Sequence, residues 1–124
     1  MGSCDWRPFV KGAIERSPVS LEKTKSMSIE EIYEWLSRMP GSSIYDRNRL
    51  AQPDEVANYT TGDGVEKAIT LANILCARKS DLTVLLELHG AEAVLSANGQ
   101  TYRFASNKMF EKKLTLSRTR QAVL

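Results

Sequence analysis

Residues 64–78, Gly-Val-Glu-Lys-Ala-Ile-Thr-Leu-Ala-Asn-Ile-Leu-Cys-Ala-Arg, constrain the fold more than any other segment of this chain. Val65, Ala68, Ile69, Ala72, Leu75 and Cys76 repeat at i, i+3, i+4, i+7, the spacing of a helix face, and Leu71 and Ile74 carry the apolar surface round to the other side. A helix that is apolar on nearly every side belongs at the centre of a core. With 124 residues the chain is expected to be a single domain over residues 1–124, able to bury that core without metal or disulfide staples.

The elements that would enclose this helix are legible on both sides of it. Ser28-Ile29-Glu30-Glu31 is a capping box that starts an earlier, amphipathic helix, in which Ile29, Ile32, Tyr33, Leu36 and Met39 recur at helical spacing and Trp35 widens the stripe. Pro40-Gly41 ends it. From Ser42 to Thr61 no period persists, and Pro53, Asp46, Asn48, Asp54 and Asn58 mark a long loop with one short turn of helix at residues 54–57. After the central helix, Leu82–His89 is rich in branched apolar residues and stops at Gly90, which reads as a strand. Residues 91–97 and 101–105 flank Asn98-Gly99, a dipeptide suited to the positive backbone angles of a type I′ hairpin. Residues 113–117 fit a short strand or a helical end, and the stretch through Thr24, broken by Pro8, Gly12 and Pro18, supports no assignment.

Composition excludes several classes of function. No apolar run approaches the length of a membrane span, and Met1–Trp6 lacks both the layout of a secretory signal and the hydroxyl residue of a myristoylation site, so a cytoplasmic, non-membrane protein is expected. A net charge of +2 is too mild to imply nucleic acid. The basic C-terminal residues Lys108, Lys112, Lys113, Arg118 and Arg120 have no aromatic stacking platform beside them and read as a solvated tail. Cys4 and Cys76 read as two free thiols in a reducing compartment. No cofactor motif and no metal-ligand cluster is present in the sequence pattern.

Gly62-Asp63-Gly64 forms a tight turn into the central helix and places residue 64 at its first exposed amides, where a thiol would be acidified by the helix N-terminus. Gly64 offers no side chain for such chemistry. Asp63-x-x-Glu66 reads as a second capping box, which accounts for both carboxylates without an acid–base role. The two glycines would let an anion approach the helix start, but Asp63 would repel it and no lysine or hydroxyl completes a P-loop.

This order of elements resembles the core of the transglutaminase-like family, in the papain-like superfamily. The resemblance rests on Ile32-Tyr33-Glu34-Trp35, Tyr45-Asp46, Gln52-Pro53-Asp54-Glu55-Val56 and Gly62-Asp63-Gly64-Val65-Glu66-Lys67-Ala68, with the strand ending at Gly90 and the hairpin ending near Asn107, and covers about residues 28–107. It implies an α+β fold, a central helix packed on a small antiparallel sheet with an amphipathic helix before it. It also implies a Cys-His-Asp triad, the histidine serving as base toward the thiol. This chain departs at each position, with Gly64, Ala91 and Ser106 (or Asn107) where the three would fall. The expected function is therefore a catalytically inactive domain that binds a protein, peptide or glycan through a groove involving Tyr45, Tyr59, Asp63 and His89. The alternative is a cysteine-dependent acyl-transfer or hydrolytic enzyme with a relocated site at Cys76 and His89, although Cys76 lies about 18 Å along the helix from Gly64 at ~1.5 Å per residue. Edge strands leave a homodimer compatible with the pattern.

Overall fold

The computed structural model describes residues 18–45, 49–79, 82–97 and 99–117. They form a mixed α+β fold of four helices and a four-stranded antiparallel sheet: α1 (Pro18–Thr24), α2 (Ile29–Arg38), α3 (Pro53–Tyr59), α4 (Gly64–Arg78), β1 (Thr83–His89), β2 (Glu92–Ala97), β3 (Gln100–Ala105) and β4 (Glu111–Ser117). Every residue of α4 from Gly64 to Cys76 is buried, as its all-round apolar surface requires. Helix α4 packs against the other three helices and against all four strands.

Local chemistry accounts for most of the boundaries. Ser28 Oγ accepts from the Glu31 amide at 3.1 Å while Glu31 Oε1 accepts from the Ser28 amide at 2.7 Å, so the capping box that opens α2 is formed. Ile32 and Leu36 bury the inner face of this helix. The loop expected over residues 42–61 holds more helix than its sequence suggests. Pro53 supplies the preset backbone of a first helical turn, the Gln52 amide donates to Glu55 Oε1 at 2.9 Å, and Thr60 closes α3 in the left-handed region at φ 51°. Seven residues are too few to show a period.

Helix α1 is the element no sequence pattern announces. Its fully buried residues are Ser20 and Thr24, which are polar. The Thr24 hydroxyl donates to the Ser20 carbonyl at 2.7 Å, the Ser20 amide donates to Asp54 Oδ1 at 2.8 Å, and Asn73 Nδ2 donates to Ser20 Oγ at 2.9 Å. This helix is held by hydrogen bonds to α3 and α4, which leave no hydrophobic signature.

The sheet order is β3-β2-β1-β4, and residues 113–117 belong to a strand. Register places Val84, Leu86, Leu88, Ala93, Leu95, Tyr102, Phe104, Leu114 and Leu116 on one face, all buried. That face meets α4. The opposite face carries Leu85, Glu87, Val94, Ser96, Arg103 and Lys113, with an exposed Arg103–Glu92 pair at 3.0 Å. Gly99 takes φ 77° in the two-residue turn between β2 and β3.

Helix α2 also closes one edge of the sheet. The Tyr33 hydroxyl accepts from the Arg103 amide and donates to the Arg103 carbonyl, both at 3.2 Å, while its ring meets Tyr102 and Phe104 edge-on at 5.0 and 5.4 Å. One phenol thus occupies the outward backbone groups of Arg103 in β3, which would otherwise be open to another strand. Tyr33→Phe is expected to keep the ring packing and lose both bonds, lowering stability by about 1 kcal/mol. Hydrogen exchange at the Arg103 amide should accelerate more than at the Leu86 amide, which lies in a central strand.

Candidate functional site

The first turn of α4 gathers the polar groups of the interior. Asp63 is its N-cap, in extended backbone at φ −66° and ψ 160°, and is 1 % exposed. Its Oδ2 accepts from the Val65 amide at 2.9 Å and from Ser106 Oγ at 2.7 Å, and its Oδ1 accepts from the Asn107 amide at 2.6 Å. Glu66, fully buried, closes the capping box by accepting from the Asp63 amide at 2.9 Å on Oε1. Its Oε2 accepts from Ser43 Oγ at 2.6 Å and from the Ala51 amide at 2.7 Å. The capping expected of both residues is present. Each also ties in a segment distant in sequence, the β3–β4 connection for Asp63 and residues 43–51 for Glu66.

Gly64, Ala91 and Ser106, the positions that would carry a nucleophile, base and orienting acid, lie in one neighbourhood. The Ser106 amide donates to the Ala91 carbonyl at 2.8 Å, Ser106 Oγ reaches Asp63, and Gly64 lies against the end of β3. They meet mainly through backbone. A Cβ built on Gly64 would stand 2.1 Å from the Ala105 carbonyl oxygen and 2.7 Å from its carbon. The space beside Gly64 is filled by the β3 main chain, so no groove opens at this residue. The glycine is needed for this close approach of helix to strand.

The other expected site residues do not converge. His89 is on the sheet face shared with Leu85 and Glu87, away from α4, with its imidazole 59 % exposed and Nε2 3.8 Å from Glu87 Oε2. Cys76 is fully buried, with Sγ 4.0 Å from the Leu116 carbonyl. Leu116 pairs with Val84, and His89 lies five residues further along β1, about 17 Å at ~3.4 Å per residue. The structure therefore does not bring Cys76 and His89 into a dyad. Cys4 lies outside the described residues.

Of the two tyrosines expected in the groove, Tyr59 is exposed and Tyr45 is not. Tyr45 is half-buried: its hydroxyl donates to Glu55 Oε2, the Arg49 guanidinium sits 3.9 Å from its ring centroid, and Lys108 Nζ donates to its carbonyl at 3.1 Å. The bond to Glu55, with smaller contributions from burial, raises the Tyr45 phenol above its ordinary pKa. Tyr45 is a fastening of its loop. Tyr59, 63 % exposed at the end of α3, is the accessible one.

A groove of about 270 Å³ opens elsewhere, between the C-terminal end of α2 and β3, lined by Ser37, Met39, Gly41, Lys67, Arg103, Phe104 and Ala105. It contains none of Tyr45, Tyr59, Asp63 and His89. Lys67 is 6 % exposed, and its Nζ donates to the Met39 carbonyl at 2.8 Å. Burial lowers its pKa from the usual 10.5, with the negative charge of Asp63 acting in the opposite sense. Between the lowered value and 10.5 the unfolded chain binds more protons here than the folded one, so this group's contribution to stability rises with pH through that window. The sequence signal is a lysine set within an otherwise enclosed helix, between Glu66 and Ala68.

Among the described residues, no group of three or more His, Cys, Asp or Glu side chains is placed to hold a metal ion, and no helix is long and apolar enough to cross a membrane. No family model, curated protein or solved structure matches the chain.

Two outcomes are expected from this geometry. Gly64→Ala and Gly64→Cys should destabilise by similar amounts, about 3 kcal/mol, because the clash belongs to the Cβ they share. Urea denaturation midpoints of the two variants measure it. Cys76 should resist alkylation in the native protein at neutral pH and react only as fast as the chain opens, with His89→Ala leaving that rate unchanged in mass-mapped, timed labelling.

Proposed function

We propose that this chain is a catalytically silent, transglutaminase-like domain that acts as a binding or accessory module for a protein, peptide or glycan. The family reading is supported by the order of elements: an amphipathic helix, a central helix opened by Gly62-Asp63-Gly64, and an antiparallel sheet containing a hairpin. Its core is also supported by the meeting of residues 64, 91 and 106 at one end of that sheet.

The observation that carries the silent character is the contact between Gly64 and Ala105. Acyl transfer of this type needs a thiolate at the helix start and a base within hydrogen-bond reach of it. Here the main chain of β3 stands where the Cβ of any side chain at residue 64 would be, and the single histidine faces the other side of the sheet. Tyr59 remains as an accessible aromatic for partner contact.

The test has a catalytic and a binding arm. A glutamine peptide with a labelled primary amine, and separately an activated ester, should show no turnover beyond that of Cys76→Ala. Peptide and glycan arrays should yield saturable binding of one class, weakened roughly tenfold or more by Tyr59→Ala at unchanged melting temperature. Amine incorporation that disappears in Cys76→Ala would overturn the proposal.

A further inference from the structure

Lys67 is an ammonium in a place that gives it little to do. It projects from the central helix, nine-tenths buried, and its Nζ donates to the Met39 carbonyl at the end of α2. An ammonium carries three donors, and this bond uses one. Among the described residues no carboxylate forms an ion pair with it. Asp63 is near enough to favour its charge, yet the Asp63 oxygens are already held by Val65, Ser106 and Asn107.

The groove beside it has two further properties. Its other cation, Arg103, is paired with Glu92 at 3.0 Å, so Lys67 is the cation of the wall that has no ion-pair partner among the described residues. The rest of the lining is mixed, with Met39, Phe104 and Ala105 beside Ser37 and Gly41. Tyr33 marks the Arg103 amide and carbonyl as facing the sheet edge, and residues two apart on a strand present their backbone groups to the same side. The Ala105 amide therefore faces the same edge, and Ala105 lines the groove with Lys67.

We infer that this groove binds a carboxylate, with its oxygens on Lys67 Nζ and its short stem against Phe104 and Met39. The charge selects the ligand. A carboxylate monoanion matches one ammonium, whereas a phosphate dianion would call for a second cation or a free helix N-terminus. The N-terminus of α4 is occupied by Asp63. The volume is below that of a drug-sized site and suits a single residue or a small acid. The carboxylate belongs either to a free small acid or to the C-terminus of a peptide. This site is independent of the family reading: its failure would leave the silent helix start as described, and an active thiol would leave this groove intact.

Isotope-edited NMR of the whole chain tests it, following the Lys67 Cε and Ala105 amide signals during titration with propionate, N-acetylglycylglycine, N-acetylglycylglycine amide and inorganic phosphate. Both carboxylates are expected to move both signals saturably, with dissociation constants in the millimolar range or tighter, and the amide to leave them still. Tighter binding of the peptide identifies a chain terminus as the source, and tighter binding of propionate identifies a small acid. Lys67→Met should weaken binding roughly tenfold or more, and Lys67→Arg should recover part of it. Absence of saturation with either carboxylate, equal response to the amide, tighter binding of phosphate, or unchanged affinity in folded Lys67→Met would each overturn the inference. If Lys67→Met does not fold, the contrast between peptide acid and peptide amide in the unmodified chain decides the matter alone.

Discussion

Two carboxylates at the start of one helix hold this structure together. Asp63 and Glu66 are buried, and each accepts three hydrogen bonds, which together with the positive end of α4 offset the cost of removing charge from water. The donors come from three parts of the chain: the helix's own first turn, residues 43–51, and the connection between β3 and β4. Without these acceptors the apolar flanks of α4 would still collapse, but nothing would fix where the loop and the sheet end meet the helix. Position along the helix is set by polar groups, and enclosure by hydrocarbon.

That junction explains the fate of residue 64. The bonds from Asp63 to Ser106 and Asn107 draw the end of β3 onto the helix start, and the Ala105 carbonyl comes to lie where a side chain would begin. A reactive group at this point needs space and a base, and a tight helix–strand joint needs neither. The chain has the joint. Its His89 is then an ordinary exposed strand-end residue beside Glu87, and Cys76 is core packing at the far end of the same helix.

How much of this was readable in the residues depends on which force made each part. The all-round apolar run of 64–78, the Ser28 capping box and the Asn98-Gly99 turn are short-range patterns, and α2, α4 and the β2–β3 hairpin follow from them. Helix α1 is secured by Ser20, Thr24 and Asn73 through hydrogen bonds across long sequence separations, which periodicity does not encode. Helix α3 is too short to have a period. The candidate site divides in the same way. Capping by Asp63 and Glu66 was legible, whereas their second attachments, the close approach of the β3 main chain to Gly64 and the groove beside Lys67 exist only once distant segments have come together.

The Tyr33 hydroxyl gives the sheet a direction. Among the described residues β4 has no strand on its outer side, while the backbone of β3 at Arg103 is stoppered. A sheet with two open ends can add copies of itself without limit, but one with a single open end is finished after one addition, because the second copy brings its own stopper to the far side. Any strand-to-strand association of this fold at β4 is therefore biased toward a closed pair over a fibre, with the Tyr33 hydroxyl obstructing the other edge at Arg103.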